Sequence, residues 1–180
     1  MPTQAHSTEQ NPEALIERLE RFLTTFPALI EAFAPEDLTW KPDAMSWSVH
    51  EIICHMADEE VLDFRTRVLS TLTDPSKPWP PIDPVGIAIT RDYPSLDRAT
   101  ELNRWINDRT QSISLLRTLE SPDWSSAHQH PKFGPMIAID LLAAWSAHDA
   151  LHARQIVKRL HQLASRDAGP KSTTQYAGDW

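Results

Sequence analysis

Two histidines, four residues apart, lie in a stretch with strong helical character. Residues 143–160 read AAWSAHDALHARQIVKRL, lack proline and glycine, and end in basic residues, as a helix C-terminus should. His148 and His152 therefore lie one above the other on the same helix face. Neutral imidazole is a common metal ligand, so the pair indicates a metal site. The alternative is a pair of core histidines with hydrogen-bond partners.

A third histidine lies on a second predicted helix. Ser48 followed by Glu51 fits a capping box, which predicts a helix from Ser48 to about Thr73. One face of this helix carries His55 among apolar residues that include Leu62. Three histidine ligands would leave a fourth coordination position open, which is typical of catalytic rather than structural zinc.

Three charged residues are candidates for roles around these histidines. Glu59, one turn after His55, has three open roles: a base acting on metal-bound water, a hydrogen-bond partner of a ligand imidazole, or a structural partner of a cation such as Arg109. Arg109 lies in the apolar line of a third helix. It either extends to water along the edge of that line or points inward to an anionic substrate group or a carboxylate. Asp149 is interpreted as a solvent-facing or second-shell carboxylate.

The remaining histidines and the cysteine do not fit the same site. His50 points about 140° away from His55 on a helix. His128 and His130 lie in a predicted loop and are surface residues unless that loop folds over the metal. Cys54 is predicted to be a small buried residue rather than a nucleophile. A single cysteine excludes an intramolecular disulfide and a cysteine-rich metal site.

Four amphipathic helices must position these side chains. The first begins near Asn11 with Pro12 at the favoured first position, and Pro27 is expected to kink or end it. The absence of a convincing strand pattern predicts one all-α domain over residues 1–180, a four-helix bundle with polar tails around a core of about 12–164. Sites in such bundles are built from inward side chains on facing helices. The other predicted segments are helices at about 95–120 and 135–164 and connections at 34–47, 74–94 and 121–134.

The connection between the second and third helices is rich in proline. Residues 74–94 contain DPSKPWPPIDP and a further Pro94. An extended chain advances about 3 Å per residue, so this segment is long enough to cross the length of a bundle.

Composition narrows the function classes. The chain has 180 residues and a net charge of −8, without a basic block, which argues against nucleic acid as a partner. The N-terminal residues lack the pattern of a secretory signal, and no apolar run approaches the roughly 18 residues that span a bilayer. We therefore expect a cytoplasmic protein that acts on a small molecule and does not enter membranes.

The motifs SWSVHEIICHMADEE, HPKFG and AHDALHARQI, in that order, resemble the DinB-like superfamily of metal-binding four-helix bundles. The resemblance covers about residues 12–162. It implies a crossover connection between the second and third helices and a nickel or zinc ion on three histidines. The matching positions are His55, His148 and His152. It also implies that dimers are common.

The resemblance implies several activities. Members include thiol-dependent transferases, which use bacillithiol, mycothiol or glutathione, and a maleylpyruvate isomerase. The first hypothesis is therefore a metal-dependent enzyme, either a thiol S-transferase or a small-molecule hydrolase. The second is a non-catalytic metal-binding bundle, related to stress or detoxification, with Glu59 or His130 closing the fourth position. The third is a metal-free bundle whose histidines share hydrogen bonds with Glu59 and Asp149.

Overall fold

The first helix begins where the sequence predicts. The computed structural model describes residues 9–171 and 174–178; most of the predicted N-terminal tail lies outside these ranges. Helix α1 spans Pro12–Glu31, and the Asn11 side chain accepts a hydrogen bond of 3.0 Å from the Ala14 amide. The helix continues through Pro27, so the expectation that this proline might end it is wrong.

The second predicted helix is one continuous helical run with a wider turn inside it. Helix α2 spans Val49–Glu59, a π-helical segment spans Glu60–Arg65, and helix α3 spans Thr66–Thr73. The predicted capping box is present, because the Ser48 hydroxyl accepts from the Glu51 amide and the Glu51 carboxylate accepts from the Ser48 amide.

The π-helical segment changes which residues face the core. A π-turn adds a residue to the helical repeat and so rotates all later side chains relative to an uninterrupted helix. Leu62, predicted to share the inward face of His55, is 47% exposed for this reason. Glu60, in contrast, is buried.

The proline-rich connection contains a helix that the sequence pattern did not predict. Helix α4 spans Pro84–Thr90, starts with the Asp83 carboxylate accepting from the Gly86 amide at 3.0 Å, and packs against α2. A short 3₁₀ turn at Tyr93–Ser95 follows it. The segment is therefore not extended throughout. Its course as a crossover stays a prediction.

The last two bundle helices are separated by a hairpin. Helix α5 spans Arg98–Arg117, and helix α6 spans Ala138–Ala168. Strands β1, Ala127–His130, and β2, Gly134–Ile137, pair antiparallel in a region predicted as a loop and a helix start. Gly134 has a φ of +73°, a conformation that closes the turn at little steric cost. Each strand has only four residues, too few for a clear alternating pattern.

Two apolar clusters lie on either side of a buried polar layer. Helix α1 packs on α5 and α6, and α2 packs on α5. One cluster contains Phe26 and Trp105, whose rings lie 4.6 Å apart, and the other contains Leu19 and Trp145. Along α5 and α6, buried charged and histidine residues lie between the two clusters. No helix in the described ranges is long and apolar enough to cross a bilayer.

Candidate metal centre

The three predicted ligand histidines meet in the polar layer. His55 lies on α2, and His148 and His152 lie one turn apart on α6. The Nε2 atom of His55 is 3.3 Å from that of His148 and 3.1 Å from that of His152, and the His148 and His152 Nε2 atoms are 3.0 Å apart. The fold therefore brings three imidazole nitrogens from two helices to one point.

This triangle has the size that a metal ion requires. A ligand nitrogen lies about 2.0–2.1 Å from zinc, so two nitrogens on one ion are roughly 3.0–3.4 Å apart. Hydrogen bonds alone do not satisfy the arrangement. In a neutral imidazole, Nε2 carries either a lone pair or a proton. Among three such atoms at least two are therefore alike, and two lone pairs or two N–H groups that face each other form no hydrogen bond. A cation that accepts all three lone pairs removes this conflict, so the residues fit a divalent metal.

The surroundings keep the histidines in the form that binds a metal. Burial, followed by the neighbouring His152, lowers the pKa of His55 to about 3 and that of His148 to about 2. Burial also lowers the pKa of His152. All three imidazoles are therefore neutral at pH 7, and neutral imidazole is the ligand form.

A glutamine orients one of these ligands. The Gln155 side-chain oxygen lies 2.9 Å from Nδ1 of His152 and accepts its hydrogen bond, which leaves the Nε2 lone pair for a metal. Two aromatic rings pack beside the other ligands: Trp47 is 4.7 Å from the ring of His55, and Phe64 is 4.8 Å from that of His148. The sequence analysis missed Gln155; its position three residues after a candidate ligand was the available signal.

Replacing Gln155 by alanine should weaken metal binding without abolishing it. The variant loses the acceptor that fixes the His152 ring, and such losses typically reduce metal affinity about 10–100-fold. Competition with a chromophoric chelator measures this change. Gln111→Ala is the matched control, because Gln111 contacts Arg65 instead. Equal affinities of both variants and the wild type would contradict the orienting role.

Glu59 belongs to a buried carboxyl pair. Its carboxyl group interacts electrostatically with that of Asp63, four residues later, and Asp63 lies 2.5 Å from Nε of Arg67. Burial, then the charge of Asp63, raises the pKa of Glu59 to about 8, and burial also raises the pKa of Asp63. Two carboxyls beside one guanidinium therefore keep one proton at neutral pH, which leaves the trio uncharged. Glu59, Asp63 and Arg67 follow one another at intervals of four residues, and this spacing was the sequence signal from which the trio could have been predicted.

Arg109 lies in the protein core. Its Nη1 and Nη2 atoms donate to the Asp149 carboxylate at 2.7 and 2.8 Å, and its Nε donates to Glu60 at 2.9 Å. The Trp145 indole donates to the same Glu60 oxygen at 3.1 Å. The guanidinium also lies over the rings of Trp105 and Trp145. These contacts describe a structural cation between two helices.

Three interpretations change as a result. Arg109 is 1% exposed and does not extend to water. Its inward direction and its carboxylate partner agree with the other interpretation from the sequence, a cation that points inward to a carboxylate. Asp149 is buried in this ion pair, so the solvent-facing interpretation is wrong. The carboxylates of Arg109 are Asp149 and Glu60, not Glu59. A substrate contact of Arg109 stays a prediction that these contacts do not favour.

The other candidate residues lie outside the histidine triangle. In the described ranges, the group of potential ligand atoms within 4.8 Å of one another consists of His55, His148 and His152. Nδ1 of His130 accepts from two amides of the hairpin turn, and His128 stacks on Trp79. Neither Glu59 nor His130 therefore occupies a fourth position here.

Cys54 is buried, as predicted. Burial raises the pKa of its thiol to about 12, so the thiolate that a nucleophile requires does not form near neutral pH.

Comparisons with known proteins identify the family of this chain and a protein of similar fold. The family model of the DinB superfamily matches residues 18–156. A solved structure, YfiT from Bacillus subtilis, described as a probable metal-dependent hydrolase with an unusual four-helix bundle topology, is similar in fold. Its TM-score is 0.76 at 20% identity, over 91% of this chain and 93% of that one. A search of curated proteins gave no match. Because the family model covers more than half of the sequence, the chain belongs to the DinB superfamily.

Proposed function

We propose that this protein is a metal-dependent enzyme that hydrolyses a small molecule, with one zinc or nickel ion on His55, His148 and His152. The observation that carries the proposal is the triangle of Nε2 atoms 3.0–3.3 Å apart. YfiT, the structural neighbour, is described as a probable metal-dependent hydrolase, which supports hydrolysis as the reaction class.

Three sets of residues have different roles in the proposed reaction. A divalent ion on three neutral imidazoles supplies Lewis-acid chemistry and retains open coordination positions. The imidazoles hold that ion, and Gln155 fixes one of them in orientation. Burial, followed by the charge of Asp63, raises the pKa of Glu59 and keeps a proton on it at neutral pH, which suits a general acid better than the base considered from the sequence. We propose that Glu59 gives this proton to the leaving group.

The proton on Glu59 should be visible as a pH dependence of stability. An unfolded glutamate loses its proton near its ordinary pKa of 4.5, whereas folded Glu59 keeps it to about 8. Between pH 4.5 and about 8 the folded protein holds a proton on Glu59 that the unfolded chain has lost. The free energy of unfolding of the wild type therefore decreases as the pH rises through this range. Glu59→Gln does not titrate, so its stability relative to the wild type should rise as pH increases from 4.5 to 8, by at most about 5 kcal/mol.

Urea unfolding of chelator-stripped proteins across this pH range measures the difference. Stripping leaves the histidines titrating in the same way in both proteins. Glu120→Gln, at an exposed position, is the control and should show no such trend. A constant difference between Glu59→Gln and the wild type across the window would show that Glu59 is ionised in the folded protein.

A thiol S-transferase is the alternative reaction within the same proposal. The metal-loaded wild type and His152→Ala should be assayed on activated esters and amides, and on electrophiles with glutathione, bacillithiol or mycothiol. Hydrolysis that is lost with a chelator, restored by zinc or nickel and absent in the variant supports the proposal. Product that forms only with a thiol present identifies a transferase. A metal-loaded wild type without any turnover supports the non-catalytic metal-binding bundle instead.

Two structural properties complete the proposal. We propose that residues 74–97, which include α4, form the crossover connection between the second and third bundle helices. We also propose a homodimer, which sedimentation velocity of the full chain would detect.

A further inference from the structure

A groove with a concentration of positive charge lies beside the metal centre. It has a volume of about 890 Å³ and runs between α6 and the loop that precedes α2. We call it the α6 groove; its charged and amide-bearing residues are Asp43, Arg154, Gln155, Lys158, Arg159 and Gln162. Three cations face one carboxylate there, although the whole chain carries a net charge of −8.

Arg159 is a buried cation that forms no ion pair with a carboxylate of residues 9–171 or 174–178. It is 5% exposed, its Nε donates to the Trp47 carbonyl at 3.0 Å, and its Nη1 donates to the Gln162 side chain at 2.5 Å. Both acceptors are neutral. Burial lowers the pKa of Arg159, yet an arginine stays charged at neutral pH. A buried charge that lacks a counter-ion is unfavourable, and an anion in the groove would remove that penalty.

The one carboxylate in the groove, on the exposed Asp43, attracts Arg159 electrostatically but forms no ion pair with it. Arg154 and Lys158, one turn apart on α6, are exposed, and neither has an ion-pair partner among the residues that the structure describes. The Asp43 carboxylate accepts from the Ser46 hydroxyl at 2.8 Å and from the Met45 amide at 2.9 Å. Arg109 shows the contrast, because its charge is matched by two carboxylates.

Two residues connect the groove with the candidate ligand histidines. Gln155 lines the groove and accepts the hydrogen bond of His152 Nδ1. Trp47, whose carbonyl binds Arg159, packs its ring 4.7 Å from that of His55. A molecule bound by Arg159 would therefore lie beside Gln155, which contacts His152, while Arg159 itself contacts the backbone of Trp47.

We infer that the α6 groove binds the anionic group, a carboxylate or a phosphate, of a small molecule, with Arg159 as the buried anchor and Arg154 and Lys158 at the rim. The inference rests on the proposed function only in assigning this molecule as the substrate or co-substrate at the metal centre. Guanidinium groups suit this role because their planar donors match carboxylate and phosphate oxygens. The proposed substrate class is thus an anionic small molecule.

Calorimetric titration of the full-length protein tests the binding. The probes are succinate, inorganic phosphate and, as an uncharged control, succinamide. The proteins are the wild type, Arg159→Gln, Arg154→Gln/Lys158→Gln and Lys132→Gln. Lys132 is an exposed cation on the hairpin, so its replacement controls for a general change of charge. Each protein is titrated both chelator-stripped and zinc-loaded, which separates binding to the groove from binding to the metal.

We expect saturable, salt-sensitive binding of at least one anion by the stripped wild type, and none of succinamide. Arg159→Gln should weaken binding at least about 10-fold, because a buried charged contact is lost. The exposed double variant should weaken it roughly 2–10-fold and retain the wild-type fold, whereas Lys132→Gln should bind like the wild type.

The outcomes distinguish the anion-binding groove from the proposed metal-dependent enzyme. Failure of both anions to saturate up to roughly 10 mM overturns the anion groove. So does equal binding by the wild type and both groove variants, or equal binding of succinate and succinamide. Binding by the stripped protein that depends on Arg159, without turnover in the metal-loaded protein, keeps the groove and rejects the enzyme. Preference for phosphate or for succinate identifies the anionic group.

Discussion

Replacing His148 by alanine is expected to abolish stable metal binding. The wild type should contain about one equivalent of zinc or nickel per chain, because three neutral imidazoles converge on one point. The variant keeps two ligands and should bind the ion at least about 100-fold more weakly, since even second-shell losses reduce affinity 10–100-fold. Elemental analysis of untagged protein, followed by chelator competition, measures both quantities.

The same substitution should remove the stabilisation that the metal provides. A ligand at 1,000 times its dissociation constant raises the free energy of unfolding by about 4 kcal/mol. Zinc should therefore increase the Tm of the wild type and that of His148→Ala by much less, to an extent set by its weaker binding. His130→Ala is the control, because His130 lies in the hairpin turn and should retain the metal. A wild type that stays metal-free after incubation with zinc and nickel would reject the metal centre and leave a bundle with a polar core.

Arg109→Ala should be among the most destabilising single substitutions in the chain. It leaves Asp149 and Glu60 as buried carboxylates without their cation, and removal of one partner of a buried ion pair typically costs about 3–5 kcal/mol. In a domain of this size the Tm should fall by roughly 6–20 °C. Urea unfolding and thermal denaturation of the chelator-stripped protein give both values.

Arg117→Ala is the matched control for this experiment. Arg117 also lies on α5 and pairs with Glu20 through two hydrogen bonds, but both side chains are more than 40% exposed. Its loss should lower the stability far less than the loss of Arg109, because water and salt screen an exposed pair. A double-mutant cycle of Arg109→Ala with Asp149→Asn should be strongly non-additive, because the two residues contact each other. An Arg109→Ala variant of wild-type stability that fails to bind substrate would instead restore the substrate contact predicted from the sequence.

Local sequence rules were sufficient to predict the helix faces on which the three histidines lie. A helix repeats every 3.6 residues, so the spacing of His148 and His152 places both on one face wherever that helix lies. The capping box at Ser48 and Glu51 identified the helix that carries His55. Motif order then indicated the family, and the family-model match confirms it.

Only the tertiary structure decided which charges meet. Glu59 and Glu60 are adjacent in sequence and point about 100° apart, and only the packing of α5 and α6 against this helix gives Glu60 its partner Arg109. No local pattern predicted the π-helical segment that begins at Glu60. The partner of Arg109 on α6, Asp149, is 40 residues away in sequence. The periodicity of a single helix cannot predict a pairing between two helices that are so far apart in the chain.

The α6 groove and the hairpin also depend on the tertiary structure. The groove exists because the loop before α2 packs beside α6, which brings the Trp47 carbonyl to Arg159 across 112 residues. The hairpin pairs two four-residue strands through a turn at Gly134. The sequence by itself thus determined which side chains share a helix face, since that depends on covalent geometry and hydrogen bonding within one element. The partners across elements were decided by packing, because contacts between distant segments form only when the whole core is assembled.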